Sequence, residues 1–192
     1  MGLLHAAIDA ALALRAEGDV QPEQIERIEI DMPLAAYEHG GWQAQRPLEP
    51  IGAQMNVAYA VAAALLDGQV LIEQFAAIRI NRDDVWHLIE RTVTRHQKTY
   101  DDLPVEQRLT TRVAVTLADG SVREKTVAHP RGTADRLLTN TDIVEKYREL
   151  TRSVITAQRQ AAIEATVLDL ENLTDITDLT NLLTSTVRAA IG

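Results

Sequence analysis

The first predicted helix, residues 3–17, has apolar residues on nearly every side. Alanine and leucine dominate the stretch, both of which favour helices, and Gly18 ends it. The pattern therefore predicts a mostly buried helix that begins without a cap or a lead-in. Because a chain terminus ordinarily frays in water, we expect a preceding segment to be missing or another chain to cover this helix.

Apolar and acidic residues alternate over residues 25–32 ("IERIEIDM"), which predicts a strand with one buried face. Residues 33–50 contain three prolines, the Gly40-Gly41 pair and Trp42, and we interpret them as a long loop. A loop of this length in a compact domain is commonly functional or mobile.

An apolar helix is predicted over residues 51–67, ended by Gly68, and a short helix follows near 71–76. The next helix begins with Asp83 and Asp84, which the positive end of the helix dipole favours. The stretch "TVTRHQ" after it indicates a short strand. A hairpin follows in "LTTRVAVTLADGSVREKTVA", with its turn at the Asp-Gly pair.

After residue 130 the pattern becomes helical. Thr139 and Asp142 have the spacing of a capping box at the start of a helix. Two further helices are predicted near 154–170 and 175–188, and no strand is expected. The apolar spacing in the capped helix predicts one buried stripe, formed by Ile143, Val144, Tyr147 and Leu150.

Composition narrows the class of protein. The 192 residues are 46% hydrophobic and only 4% aromatic, so the core must be aliphatic. A net charge of −9 argues against a nucleic-acid partner, because phosphate binding needs an excess of Lys and Arg. Cysteine is absent, which excludes disulfides and thiolate or iron–sulfur sites in this chain and fits the cytoplasm. No apolar run approaches the roughly 20 residues of a membrane span, and no signal peptide is expected.

Three positions are candidates for chemistry, each with an ordinary alternative. His5 and Asp9 share a helix face, as a base oriented by a carboxylate or as a surface pair. Tyr59 could donate to a substrate oxyanion, or be a core tyrosine whose hydroxyl bonds a backbone carbonyl. Arg46 could bind a carboxylate, or be a solvated loop arginine.

Other chemistry is not indicated. His87 and His96 are too far from other ligand types to suggest a metal site, and the turn at His129 to Gly132 offers two cationic groups that could contact an anion or be purely structural. Walker, dinucleotide-binding, zinc-protease and serine-hydrolase motifs are missing.

Several stretches, in this order, resemble the MmgE/PrpD family, which includes 2-methylcitrate dehydratase, cis-aconitate decarboxylase and iminodisuccinate epimerase. The matching stretches are "HAAIDAALAL", "IERIEIDM", "AQMNVAYAVAAALLDGQV", "VWHLIERTVT" and "HPRGTADRLLTNTDIVEKYREL". Their order and spacing carry the resemblance, and together they cover most of the chain.

The resemblance implies an α+β fold. Residues 1–129 would form a small α/β lid with a short, mostly antiparallel sheet and packed helices. Residues 130–192 would form a C-terminal helical segment that returns to a helical domain otherwise absent. In the family the active site lies between lid and helical domain, the lid supplies a histidine and a tyrosine, and these match His5 and Tyr59. A family lysine before the histidine has no counterpart here.

We therefore expect part of a cofactor-independent, metal-independent lyase acting on a tricarboxylate such as 2-methylcitrate or cis-aconitate, as in propionate metabolism. His5 and Tyr59 are the predicted catalytic residues, and Arg46 and Gln54 the predicted substrate-binding residues. The expected partners are a small polycarboxylate and either a helical-domain half or a second copy of the chain. Two alternatives stay open: a non-catalytic, self-associating remnant of the family, and an isomerase or epimerase of a dicarboxylate, which would need a second base.

Overall fold

A computed structural model describes residues 1–18, 20–184 and 186–189. The chain forms two compact units, Met1–Leu137 and Leu138–Gly192. The first unit is mixed α and β, and the described residues of the second are helical. The predicted α+β class is confirmed.

The first unit contains a four-stranded sheet and six α-helices within its described residues. The helices are α1 (His5–Ala16), α2 (Leu34–Gly40), α3 (Pro50–Gln54), α4 (Val57–Asp67), α5 (Ala77–Ile80) and α6 (Asp83–Glu90). The strands are β1 (Ile25–Met32), β2 (Thr92–His96), β3 (Thr111–Leu117) and β4 (Val122–Val127). Short 3₁₀ turns occur at Gly2–Leu4, Pro22–Gln24, Ile72–Phe75, Lys98–Tyr100 and Val105–Gln107.

The sheet has the strand order β2-β1-β3-β4. Strand β1 pairs in parallel with β2, whereas the β1–β3 and β3–β4 pairs are antiparallel, as the mostly antiparallel prediction requires. The β3–β4 hairpin turns at Gly120, whose φ of +82° lies in the left-handed region that glycine tolerates best. The two predicted strands and the predicted hairpin are all present.

The alternation in β1 divides the two faces of the sheet. Ile28, Ile30 and Met32 are completely buried in the core beneath the helices. The opposite face carries ion pairs, in which Glu29 bonds Arg27 and Arg95 and Asp31 bonds Arg112. A strand with one apolar and one charged face must lie with its apolar side against another layer, here the layer of helices α1, α4 and α6.

The region predicted as one loop, residues 33–50, contains helix α2. This part of the prediction was wrong because the features that fix the helix are distant in sequence. The Asp101 carboxylate accepts a hydrogen bond from the Leu34 N–H at 2.8 Å and so caps the first turn. At the other end Gly40 is buried, and a Cβ atom there would approach Leu4 Cδ2 to 2.6 Å.

The region predicted as one helix, residues 51–67, is two helices, α3 and α4. The chain leaves helical geometry at Asn56, whose φ and ψ are −112° and 122°. The Asn56 side chain accepts from the Tyr59 N–H at 2.9 Å and donates to the Trp42 carbonyl at 2.7 Å. Asparagine favours this N-cap position, which explains the break. The predicted end at Gly68 is confirmed by its φ of +71°.

The second unit contains α7 (Asn140–Thr151), α8 (Ala157–Leu168) and α9 (Thr177–Thr184). The predicted capping box is present: the Asp142 N–H donates to Thr139 Oγ1 at 3.1 Å, and the Thr139 N–H donates to Asp142 Oδ2 at 2.8 Å. Within the described part of the chain, no helix combines the length and hydropathy of a membrane span.

The predicted buried stripe of α7 was wrong. Ile143 is 55% exposed, and its three companions in the stripe are only partly buried. Among the described residues of this unit, Ile163 is the single buried apolar side chain. Helical spacing identifies the apolar side of a helix, but it does not show that anything covers that side.

Replacing Asn56 by alanine should destabilise the first unit by about 1–3 kcal/mol, because it removes the cap of α4 and the bond to Trp42 together. Asn56→Asp keeps the capping oxygen and loses the amide donor, so its cost should be intermediate. Urea unfolding followed by circular dichroism measures the order. Equal stability of the wild type and Asn56→Ala would show that the break between α3 and α4 does not depend on this side chain.

Candidate functional site

Helices α1 and α4 lie side by side and run in the same direction. At their carboxyl ends Arg15 of α1 donates to the Leu65 carbonyl of α4. At their amino ends a Cβ atom on Gly40 would lie 2.6 Å from Leu4 Cδ2 and 3.3 Å from the Met55 carbonyl oxygen. The starts of α1 and α4 therefore meet the ends of α2 and α3 at one edge of the first unit. We call this edge the helix-start edge.

Two of the predicted site residues lie at the helix-start edge. His5 is the first residue of α1 and Gln54 is the last residue of α3, and both are exposed. Both helices that begin here have the positive ends of their dipoles at this edge, which favours an anionic ligand. This edge therefore places His5 and Gln54 beside the positive ends of two helices.

Asp9, predicted to orient His5, has other partners. Its side chain is only 12% exposed, and its Oδ2 accepts from the Arg131 backbone N–H at 2.7 Å and from Arg136 Nη1 at 3.0 Å. The carboxylate therefore holds a turn that follows strand β4. The role of His5 as a base stays a prediction.

Tyr59, in the first turn of α4, is completely buried. Its hydroxyl donates to the backbone carbonyl of Gln74, and its ring lies 5.7 Å from that of Phe75. Burial raises the pKa of Tyr59 far above its ordinary value near 10, although the Arg79 guanidinium acts in the opposite direction. The hydroxyl thus serves as a core donor here, and its part in catalysis stays a prediction.

A polar network missed in the sequence lies beside Tyr59. Arg79 donates through Nη2 to Asp67 at 2.5 Å and through Nη1 to Asp84 at 3.2 Å, and Gln74 Nε2 donates to Asp67 at 3.2 Å. Burial alone would raise the pKa of Asp67, but hydrogen bonding and the charge of Arg79 hold that pKa below its ordinary value. No spacing signal links residues twelve apart across a turn, so this network could not be predicted.

Arg46 lines a surface cleft of about 680 Å³ formed by the loop after α2, helix α6 and strand β2. Both tryptophans of the chain, Trp42 and Trp86, line the same cleft. The Arg46 guanidinium bonds Asp83 at 2.7 Å and the Asn81 carbonyl, and lies 6.0 Å from the Trp86 ring. Asp83 is 93% exposed, so a bound carboxylate could replace it at modest cost.

The loop that forms this cleft is fixed from both sides. The Asn56 amide holds the Trp42 carbonyl at 2.7 Å, and Thr94 Oγ1 donates to the Gly41 carbonyl at 2.7 Å. A cleft whose walls are held in place loses less conformational entropy on binding a ligand. The Arg46 cleft is therefore preformed, although the binding role of Arg46 stays a prediction.

Two further histidines, His96 and His129, each lie beside an aspartate. His96 Nε2 lies 2.6 Å from Asp101 Oδ2, and its ring stacks on Tyr37 at 6.3 Å. His129 Nδ1 lies 3.2 Å from an Asp135 oxygen. Over residues 1–18, 20–184 and 186–189, no group of three or more His, Asp or Glu side chains is arranged to hold a metal ion.

The profile of the MmgE/PrpD C-terminal domain matches residues 1–172. The chain belongs to this family, as the order of its sequence stretches had indicated. The match includes the whole first unit and α7 and α8 of the second.

Curated relatives share one activity in their names. The chain is 38% identical to a cis-aconitate decarboxylase-like protein, oryM, of Aspergillus oryzae, over 85% of this chain and 33% of the relative. It is 32% identical to a cis-aconitate decarboxylase of Aspergillus terreus, over 99% of this chain and 40% of the relative. The human cis-aconitate decarboxylase is 28% identical, over 93% and 37%. The chain thus spans well under half the length of these relatives.

Replacing Tyr59 by phenylalanine should destabilise the fold by about 1–3 kcal/mol near neutral pH, because the buried Gln74 carbonyl loses its donor. Folding raises this pKa, so the phenol stabilises fully below the unfolded pKa of about 10 and less as pH rises above it. The stability gap between the two proteins should therefore shrink above about pH 10.

Urea unfolding at pH 8 and pH 10.5 measures this gap. Tyr37→Phe is the matched control, since Tyr37 is only partly buried in the same unit. If the two substitutions cost the same at both pH values, the Tyr59 hydroxyl has no special place in the core.

Proposed function

We propose that the chain supplies the C-terminal part of a cofactor-independent lyase that decarboxylates cis-aconitate or a similar unsaturated tricarboxylate. The observation that carries this proposal is that a cis-aconitate decarboxylase aligns over 99% of the chain and a cis-aconitate decarboxylase-like protein over 85%. Dehydration of 2-methylcitrate by the same site is the alternative reaction, because the MmgE/PrpD family includes 2-methylcitrate dehydratase.

The reaction needs an acid and an anion-binding surface. When a carboxylate leaves as CO₂, its bonding electrons remain on carbon, and a proton must be delivered there. His5 is the stronger candidate for the donor of this proton, since its side chain is exposed at the helix-start edge. Tyr59 could reach a substrate only by giving up the Gln74 carbonyl, so we assign it a supporting role in the ground state.

The rest of the site would come from additional polypeptide. The relatives are longer than this chain, which covers 33–40% of their length. The helix-start edge and the Arg46 cleft are open surfaces of one unit, and the proposal requires a further wall to exclude water from the reacting carbon.

An activity assay tests the proposal. The chain, alone and combined with the N-terminal remainder of the Aspergillus oryzae relative, is incubated with cis-aconitate and with 2-methylcitrate, and CO₂ release and alkene absorbance are followed. We expect CO₂ release from cis-aconitate in the combination, reduced about 10²–10⁴-fold by His5→Gln. A folded combination that is inert toward both acids would overturn the proposal.

Tryptophan fluorescence tests the binding role of Arg46 separately, because both tryptophans line its cleft. cis-Aconitate should change the emission of the wild-type chain and should bind roughly tenfold more weakly to Arg46→Gln, which loses a charge-assisted bond. Asp83→Asn should have the opposite effect. It removes the carboxylate that competes for Arg46, so cis-aconitate should bind more tightly. Identical titrations of the three proteins would remove Arg46 from the site.

A non-catalytic, self-associating protein is the second candidate. The observation that favours it is the exposed apolar surface of the second unit, where Ile143, Leu168 and Ile176 are 55%, 64% and 58% exposed. The same activity assay separates the candidates, because a self-associating remnant would remain inert when combined with the N-terminal remainder of the Aspergillus oryzae relative.

A further inference from the structure

A compact turn follows strand β4 and closes on itself. The Gly132 N–H donates to the Arg136 carbonyl at 2.8 Å, and the Thr133 N–H and Oγ1 donate to the Pro130 carbonyl at 3.2 and 2.9 Å. Gly132 has a φ of +90°, a conformation that other residues adopt only with strain. We call residues 130–136 the basic turn, after its two arginines.

One carboxylate of α1 bonds both ends of the basic turn. Asp9 Oδ2 accepts from the Arg131 N–H at 2.7 Å, near the start of the turn, and from Arg136 Nη1 at 3.0 Å, at its end. The Asp9 side chain is 12% exposed, so these charge-assisted bonds are largely shielded from water. A carboxylate in this position would be costly to bury without these two donors.

The contact also fixes which face of α1 the basic turn covers. His5 and Asp9 are separated by one helical turn and share a face. The backbone of Arg131, bonded to Asp9, therefore lies on the face of α1 that carries His5. Spacing alone had suggested that Asp9 acts on His5, whereas the contacts show it acting on the turn.

We propose that Asp9 is a positioning residue that holds the basic turn against α1, so that the turn forms one side of the site around His5. The part concerning the site rests on the proposed function, and the part concerning the turn does not. Asp9 touches no reacting atom in this proposal; it acts through the turn that it anchors.

We call the pair of bonds from Asp9 to the basic turn the clamp. Limited trypsin digestion of the full chain tests it, because trypsin cuts after Arg131 and Arg136. Mass spectrometry reports early cutting after each arginine. Asp9→Asn should speed cutting after Arg131 roughly tenfold, since a charge-assisted bond is lost and local opening governs proteolysis. Arg136→Gln removes the other partner of the ion pair and should also speed cutting after Arg131. Because the Arg136 side chain is about half exposed, this substitution should leave the fold intact.

Glu17→Gln is the matched control. Glu17 is another carboxylate, just after the last residue of α1. It is paired with Lys125 at 3.1 Å and is 52% exposed, and among the described residues it forms no hydrogen bond or ion pair with the basic turn. Its cutting pattern should match the wild type. If Asp9→Asn and Arg136→Gln also match the wild type, the clamp is refuted.

The combined lyase tests the second half of the proposal. Asp9→Asn should raise KM for cis-aconitate roughly five- to tenfold with a smaller change in kcat, as expected when a binding wall is displaced. Faster proteolysis with an unchanged KM would refute the placement of the turn at the site. An inert wild-type lyase would refute the proposed function, and with it the placement of the basic turn at the site. The digestion would still show whether Asp9 holds the turn.

Discussion

The packing of α1 against α4 is the contact on which the first unit depends. Many of their buried residues are small: Ala7, Ala10 and Ala11 of α1 and Ala62 and Ala64 of α4 are completely buried. Alanine keeps a helix stable while allowing a second helix to approach closely. With one phenylalanine in the whole chain, close helix packing replaces the bulk that aromatic residues usually bring to a core.

The direction of these two helices determines what can gather at one edge. Because they run in parallel, both positive dipole ends lie at the helix-start edge. Long-range polar bonds then fix loops of the same unit: Asn56 holds Trp42, Thr94 holds Gly41, and Asp9 holds the basic turn. Each of these bonds satisfies a backbone group that would otherwise be costly to leave unpaired. The core thus sets the position of the edge, and single polar side chains set the positions of these loops.

Periodicity predicted what depends on local pattern. The strand β1, the hairpin, the end of α4 at Gly68 and the capping box at Thr139 were all visible, since each is specified within a few residues. Prediction from the sequence failed where a residue distant along the chain determines the local structure. Helix α2 needs the Asp101 carboxylate, 67 residues later, and the break before α4 depends on the carbonyl of Trp42 as well as on the local cap.

The candidate site was predictable to a smaller extent. His5 and Gln54 lie at one edge, and their role in one site stays a prediction. Nothing in the spacing of Asp9 could reveal that its partners are 122 and 127 residues away. The surroundings of Tyr59 were equally hidden, because the Gln74 carbonyl that accepts from it is a backbone group with no sequence signature. Family resemblance identifies the positions, and only the structure shows what each side chain bonds.

Charge balance constrains any function on a polycarboxylate. A tricarboxylate brings up to three negative charges to a chain whose net charge is already −9. Arg46, Arg79 and Arg136, which lie near the candidate residues, are each bonded to an aspartate. Helix dipoles offset only part of such a charge, about half an elementary charge for each helix start. If the chain acts on a tricarboxylate, each of these three arginines can oppose its charge only after releasing an aspartate, and Arg46 has the most exposed aspartate to release.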